Sequence, residues 1–268
     1  MPEENKNILL ELKNLSVTNK KYDKTTAPIL ENINLSINKK QCLALIGQSG
    51  SGKTITSRAI LGLLPENMKI TKGEVHFNRQ IVDHDDESAM ENLRGKKIAM
   101  IFQEPHAALN PVFQVGTQLM DVIRVNLKMK KKAARSLSLD VLSQVGFSNP
   151  QDIFKMYPGQ LSGGMAQRVL IAMALSCQPE LIIADEPTSA LDAITQSKIL
   201  KLIFDLQEKF QFAFMVISHD IPLIKKYVND VYIMKDGKIV YTGAIKNITY
   251  PNPDSYIQSL FETLPELS

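Results

Sequence analysis

Cys42-Leu43-Ala44-Leu45-Ile46-Gly47-Gln48-Ser49-Gly50-Ser51-Gly52-Lys53-Thr54 is the stretch that decides the fold. Its first five residues are apolar throughout and read as a strand buried on both faces, as a parallel sheet requires. The next eight fit the pattern G-x-x-x-x-G-K-[ST] at every fixed position. Glycines stand where backbone N–H groups must approach phosphate oxygens. Residues 54–64, ended before Pro65, read as the following helix, whose N-terminal dipole favours anions. In this pattern Lys53 reaches the β- and γ-phosphates of a nucleotide, and the Thr54 hydroxyl ligates Mg2+. A chance glycine-rich turn would lack the strand before it and the helix after it.

Three further apolar runs end on polar residues: 98–102 at Gln103, 181–184 at Asp185 and Glu186, and 212–218 at His219. Open α/β sheets bind ligands at the carboxyl ends of their strands, so these residues are expected along one edge with residues 47–54. Beside a P-loop, Asp185 is the natural holder of magnesium through its water shell. Glu186 is the candidate general base that polarises the attacking water. Gln103 and His219 are weaker signals alone, since an isolated Gln or His is usually an ordinary surface or satisfied side chain.

The stretch Leu161-Ser162-Gly163-Gly164-Met165-Ala166-Gln167-Arg168 opens an apolar helical run through Leu175. Ser162 is a good N-cap, and the exposed N–H groups after it make a second anion site. A helix cap explains Ser162 but not the two glycines with Gln167 and Arg168.

Residues 72–82 read as an antiparallel strand region. Residues 115–125 and 133–145 have helical spacing, the latter stopped by Gly146, so residues 104–161 are expected to form an inserted helical lobe. A single domain over residues 1–246 with a short tail over 247–268 follows. A net charge of +3 and a pI near 8.7 are too mild to indicate nucleic acid. Cys42 and Cys177 lie in apolar stretches and read as buried hydrophobes of a reducing compartment. The N-terminus lacks a signal-peptide pattern, and the longest apolar run, seven residues, is far short of a membrane span of about 20. The basic run at 128–132 and the acidic run at 83–87 read as solvated segments, without metal-ligand spacing in the latter.

Together the P-loop, the LSGG stretch and Leu181-Ile182-Ile183-Ala184-Asp185-Glu186-Pro187 resemble the nucleotide-binding subunits of ATP-binding-cassette (ABC) transporters, over nearly the whole chain. The resemblance implies an α/β, RecA-like P-loop NTPase fold with an inserted helical lobe and an antiparallel β subdomain. It implies ATP and Mg2+ as ligands, with Gln103 contacting the magnesium and the attacking water, and His219 the γ-phosphate. It implies head-to-tail pairing, in which Ser162, Gly163 and Gly164 cap the ATP held by the partner's P-loop. The segment Ser189-Ala190-Leu191-Asp192 is similar to the loop that crosses that interface. The family usually stacks adenine on an aromatic residue after the first strand; Tyr22 is the candidate, and a surface tyrosine is the alternative.

Met100-Ile101-Phe102-Gln103-Glu104-Pro105 and Ala108-Leu109-Asn110-Pro111 resemble the peptide/nickel import group, as its D-type subunit. The tail Tyr250-Pro251-Asn252-Pro253 through Tyr256 is similar to that group's C-terminal P-x-H-P-Y-T segment. The cysteine-containing extension of longer relatives has no counterpart after Cys177, so no iron–sulfur cofactor is expected. The implied partners are transmembrane permease subunits, a second ATP-binding subunit (an F-type paralogue, otherwise a second copy) and an extracytoplasmic solute-binding protein, without nucleic acid. The implied place is the cytoplasmic face of the membrane. The cargo stays open between peptides and nickel or other metal chelates. The rival readings are a soluble or exporter-type ABC ATPase not dedicated to uptake, and a P-loop switch or kinase, against which the LSGG stretch argues.

Overall fold

The computed structural model describes residues 7–20, 28–248 and 252–262. In chain order the elements are β1 (Ile8–Asn19), β2 (Leu30–Asn38), β3 (Cys42–Ile46), α1 (Lys53–Ile60), β4 (Met68–Phe77), β5 (Gln80–Ile81), α2 (Glu87–Leu93), β6 (Ile98–Ile101), α3 (Pro105–Ala108), α4 (Val115–Leu127), α5 (Lys131–Gln144), α6 (Pro150–Lys155), α7 (Gly163–Leu175), β7 (Leu181–Asp185), α8 (Ala193–Phe210), β8 (Ala213–Ser218), α9 (Ile221–Ile224), β9 (Asp230–Lys235), β10 (Lys238–Ala244) and α10 (Ser255–Glu262). They group into two units, one built from the chain up to Met90 and again from Ala213, the other from Glu91 to Phe212.

In the first unit β3 lies between β8 and β9 and runs parallel to both. The register pairs Cys42 with Phe214 and Ile46 with Ser218, so the P-loop and His219 leave neighbouring strands at the same end. Leu43 through Ile46 and Ala213 through Ile217 are fully buried, which is why both runs are apolar on both faces. β10 adds to β9 antiparallel. A separate antiparallel sheet has the order β2-β1-β4-β5. The antiparallel region expected at residues 72–82 is thus longer, starting at Met68 and broken between β4 and β5.

The helix after the P-loop ends at Ile60, not at residue 64. Gly62, at φ 61°, closes it: Leu63 N–H donates to Arg58 O at 2.8 Å and Gly62 N–H to Ala59 O at 3.2 Å. These two bonds are a Schellman stop, which satisfies the last carbonyls before Pro65 is reached.

In the second unit β6 and β7 pair in parallel, from Ile98↔Leu181 to Ile101↔Ala184. α7 packs on β6 and against α3, α4, α5 and α8. Eight of its thirteen residues are buried, as expected of a helix apolar nearly all round. α4, α5 and α6 pack on one another within the segment expected to be the helical lobe. The unit itself runs further, taking in α7, β7 and α8. Cys42 and Cys177 are unbridged, and burial pushes the Cys42 thiol up to about 11.

Phe214, near the start of β8, has no exposed surface. Phe214→Ala should cost about 3–5 kcal/mol and lower the melting temperature by roughly 10 °C. A melting temperature unchanged by this substitution would remove β8 from the core.

Candidate functional site

The loop of residues 47–52 hangs between β3 and α1. Gly52 is the N-cap of α1 at φ 107°, and a Cβ there would stand 2.6 Å from Leu30 Cδ2. Only glycine meets both conditions. No side chain caps α1, so the N–H groups of its first turn point toward the loop side. The Lys53 ammonium is buried and turned back over the loop, donating to Gly47 O at 2.8 Å and Gln48 O at 2.9 Å. Ser51 Oγ is buried without a hydrogen-bond partner. A buried cation beside an orphaned hydroxyl, at a helix N-terminus without a side-chain cap, fits a polyanion. Gly237 N–H donates to Ser51 O at 3.0 Å and braces the loop from the β9–β10 turn.

His219 follows β8 and is exposed. The turn after it is fixed by Asp220, whose N–H donates to Ser218 Oγ at 3.0 Å and whose Oδ1 accepts from Leu223 N–H at 3.0 Å, capping α9. Tyr22 lies outside the described residues.

In the second unit β7 ends on Asp185, which is 5% exposed and therefore a buried carboxyl at a strand end. Gln103 and Glu186, separate in sequence, meet: Gln103 Nε2 donates to Glu186 Oε2 at 3.3 Å. Glu186 adopts φ 45°, a left-handed backbone that a residue with a Cβ pays about 1–2 kcal/mol to hold. Ser189 holds it there, its N–H and hydroxyl both donating to Glu186 O at 3.2 Å. Nothing in the sequence signals this conformation.

Ser162 Oγ accepts from Met165 N–H at 3.3 Å and so caps α7. Asp192 caps α8 in the same way, accepting from Thr195 N–H at 3.0 Å. The Thr195 side chain and N–H hold the Asp192 carboxyl below its ordinary value, so it stays ionised. Both caps open on one groove of about 440 Å3 that also presents Gly164, Arg168 and Lys198. Ser162, Gly163, Gly164 and Asp192 therefore line one groove within a single chain. A Cβ on Gly164 would stand 2.8 Å from Thr195 Cγ2, and one on Gly163 would stand 3.1 Å from Leu191 Cδ2. The two glycines thus have a packing reason that sequence reading missed. It missed Tyr256 as well, whose hydroxyl accepts from Gln48 N–H at 3.0 Å across 208 positions. Local spacing carries no signal for such a contact. Among the described residues no group of three or more His, Cys, Asp or Glu could hold a metal.

Gly164→Ala should cost about 1–3 kcal/mol in overpacking, offset by up to about 1 kcal/mol of helix propensity. Thr195→Ser, added to it, removes the clashing methyl and should recover most of the lost melting temperature. Additive losses in the double variant would refute the contact.

A profile of the ABC transporter family matches residues 30–189. Over 262 residues the chain is 38% identical to the dipeptide transport ATP-binding protein DppD of Escherichia coli strain K12, covering 97% of this chain and 79% of that protein. It is 36% identical to the metal-staphylopine import system ATP-binding protein CntD of Staphylococcus aureus, covering 97% and 94%. Among solved structures, the dimeric post-hydrolysis state of an ATP-binding cassette bound to ADP and Pi is similar at a TM-score of 0.77 and 29% identity, over 88% of this chain and 99% of that one. With a P-loop, a capped LSGG helix and a paired Gln103–Glu186 on a matching fold, the chain belongs to the ABC transporter family of ATP-binding cassettes.

Proposed function

We propose that the chain is the ATP-hydrolysing subunit of an importer that takes up peptides, or nickel and other metal chelates, across the cytoplasmic membrane. The observation that carries the ATPase reading is the buried Lys53 ammonium held on the loop's own carbonyls. The names of the relatives support the importer class, one acting on dipeptides and one on a metal chelate.

Gly47, Gln48, Ser49, Gly50, Ser51 and Gly52 cradle the phosphates with backbone N–H groups, and Lys53 turns its ammonium to them. Thr54, Asp185 and Gln103 supply a hydroxyl, a carboxylate and an amide oxygen, hard donors of the kind Mg2+ takes. When bound, magnesium would neutralise charge on the phosphate oxygens. Glu186 accepts a proton from the attacking water as the water oxygen bonds to the γ-phosphorus and the bond to ADP breaks, releasing phosphate. Gln103, donating to Glu186 Oε2, keeps that carboxylate oriented. His219 supports the γ-phosphate. Ser162, Gly163, Gly164 and Asp192 act on the nucleotide of a second subunit, an F-type paralogue or another copy, with their N–H groups and the cations beside them.

Among the described residues no helix is long and apolar enough to cross a membrane, so separate permease subunits form the path. Val112, Phe113 and Val125 are more than half exposed in the segment after Gln103 and offer apolar surface to such a permease. A solute-binding protein delivers cargo from outside, and this chain stays on the cytoplasmic face.

Glu186→Gln keeps the side chain's size and removes the base. In the assembled complex it should cut turnover about 10²–10⁴-fold while MgATP still binds and the two ATP-binding subunits remain associated. Hydrolysis at the parent rate would refute the assignment of the base.

A further inference from the structure

The segment after β10 leads into α10, whose start is tightly specified. Asp254 Oδ1 accepts from Tyr256 N–H at 2.8 Å and Ile257 N–H at 3.2 Å, and Asn252 Oδ1 accepts from Asp254 N–H at 2.9 Å. This turn buries Tyr256 and Ile257, which are 8% and 5% exposed. The Tyr256 hydroxyl then makes two bonds at once, donating to Met234 O on β9 at 2.7 Å and accepting from Gln48 N–H at 3.0 Å. The Lys235 ammonium lies 4.9 Å from the ring centroid. Burial raises the phenol above its usual value; the Gln48 N–H opposes this, and Asp236 and Asp254 add to it. The hydroxyl therefore keeps the proton it donates.

The position of Gln48 gives these bonds their meaning. The Gly47–Gln48 peptide is pinned at both ends: Lys53 Nζ holds its oxygen, and the Tyr256 hydroxyl holds its N–H. When Lys53 turns to a triphosphate, its hold on the Gly47 oxygen weakens just as the loop must keep its shape. The bond to Tyr256, anchored on β9, does not depend on the ammonium and stays. We propose that Tyr256 is a positioning residue for ATP binding, holding the Gly47–Gln48 peptide while Lys53 engages the phosphates. The inference rests on assigning residues 47–54 to the triphosphate, and it adds a residue far outside the family's matched segment at 30–189.

The test uses the full chain in three forms: parent, Tyr256→Phe and Lys235→Met. MgADP affinity by calorimetry, KM and kcat for MgATP, and melting temperatures with and without MgADP are measured. Tyr256→Phe, which removes one oxygen, should weaken MgADP binding and raise KM roughly five- to tenfold, the size of a lost buried hydrogen bond, with kcat within about twofold. The rise in melting temperature on adding MgADP should shrink in step. Lys235→Met keeps the hydroxyl and should bind as the parent does. If Tyr256→Phe lowers the melting temperature but leaves affinity and KM unchanged, Tyr256 merely anchors α10 and the proposal is overturned. Equal weakening by Lys235→Met would assign the effect to ring packing and overturn it too. A parent chain that binds neither MgADP nor MgATP would bring down the reading of the loop and the inference with it.

Discussion

The ammonium of Lys53 is a buried charge, and a buried charge must be paired. Here its partners are two carbonyls of the loop that precedes it, so the loop is wound around its own cation. That winding requires the chain to turn sharply between β3 and α1, which Gly52 permits by its left-handed backbone and missing side chain. It also requires a rigid base. β3, flanked by two parallel strands and buried on both faces, supplies one. An incoming phosphate chain exchanges one set of oxygens for another around a cation already in place, which keeps the cost of reorganisation low.

The second unit solves a different problem, presenting polar groups at points that need unusual backbone. Glu186 sits in a left-handed turn held by Ser189, with its carboxylate against Gln103. The LSGG helix and α8 start side by side, each capped by an acceptor side chain, and the small residues at 163 and 164 let them approach. Glycine at these positions therefore serves packing within the chain before it serves any ligand. A change in the α8 start would be felt directly by the LSGG turn.

Much of this was legible from the residues alone. β3, β7 and β8 stand within one residue of expectation, because a strand buried on both faces leaves an unbroken apolar run. The P-loop and the Ser162 cap follow from fixed local chemistry. The helix after the P-loop ends short of Pro65 because the Schellman stop at Gly62 closes it first, and a lone Gly followed by apolar residues is a weaker sequence signal than the proline. The strain at Glu186 and the Gly164–Thr195 contact leave no local pattern. Nor does α10, where a short turn rich in Asn, Pro and Asp reads as tail until its tertiary partner is known.

The reach of Tyr256 back to Gln48 bears on how the molecule is made. Two hundred and eight positions separate them, so a growing polypeptide synthesises its loop early and acquires the distant tyrosine late. A ribosome-bound intermediate shorter than that carries the loop without this support, however complete β3 and α1 already are. Premature termination after β10 but before Tyr256 yields a product that retains every signature motif and lacks the tie between the P-loop and the end of β9.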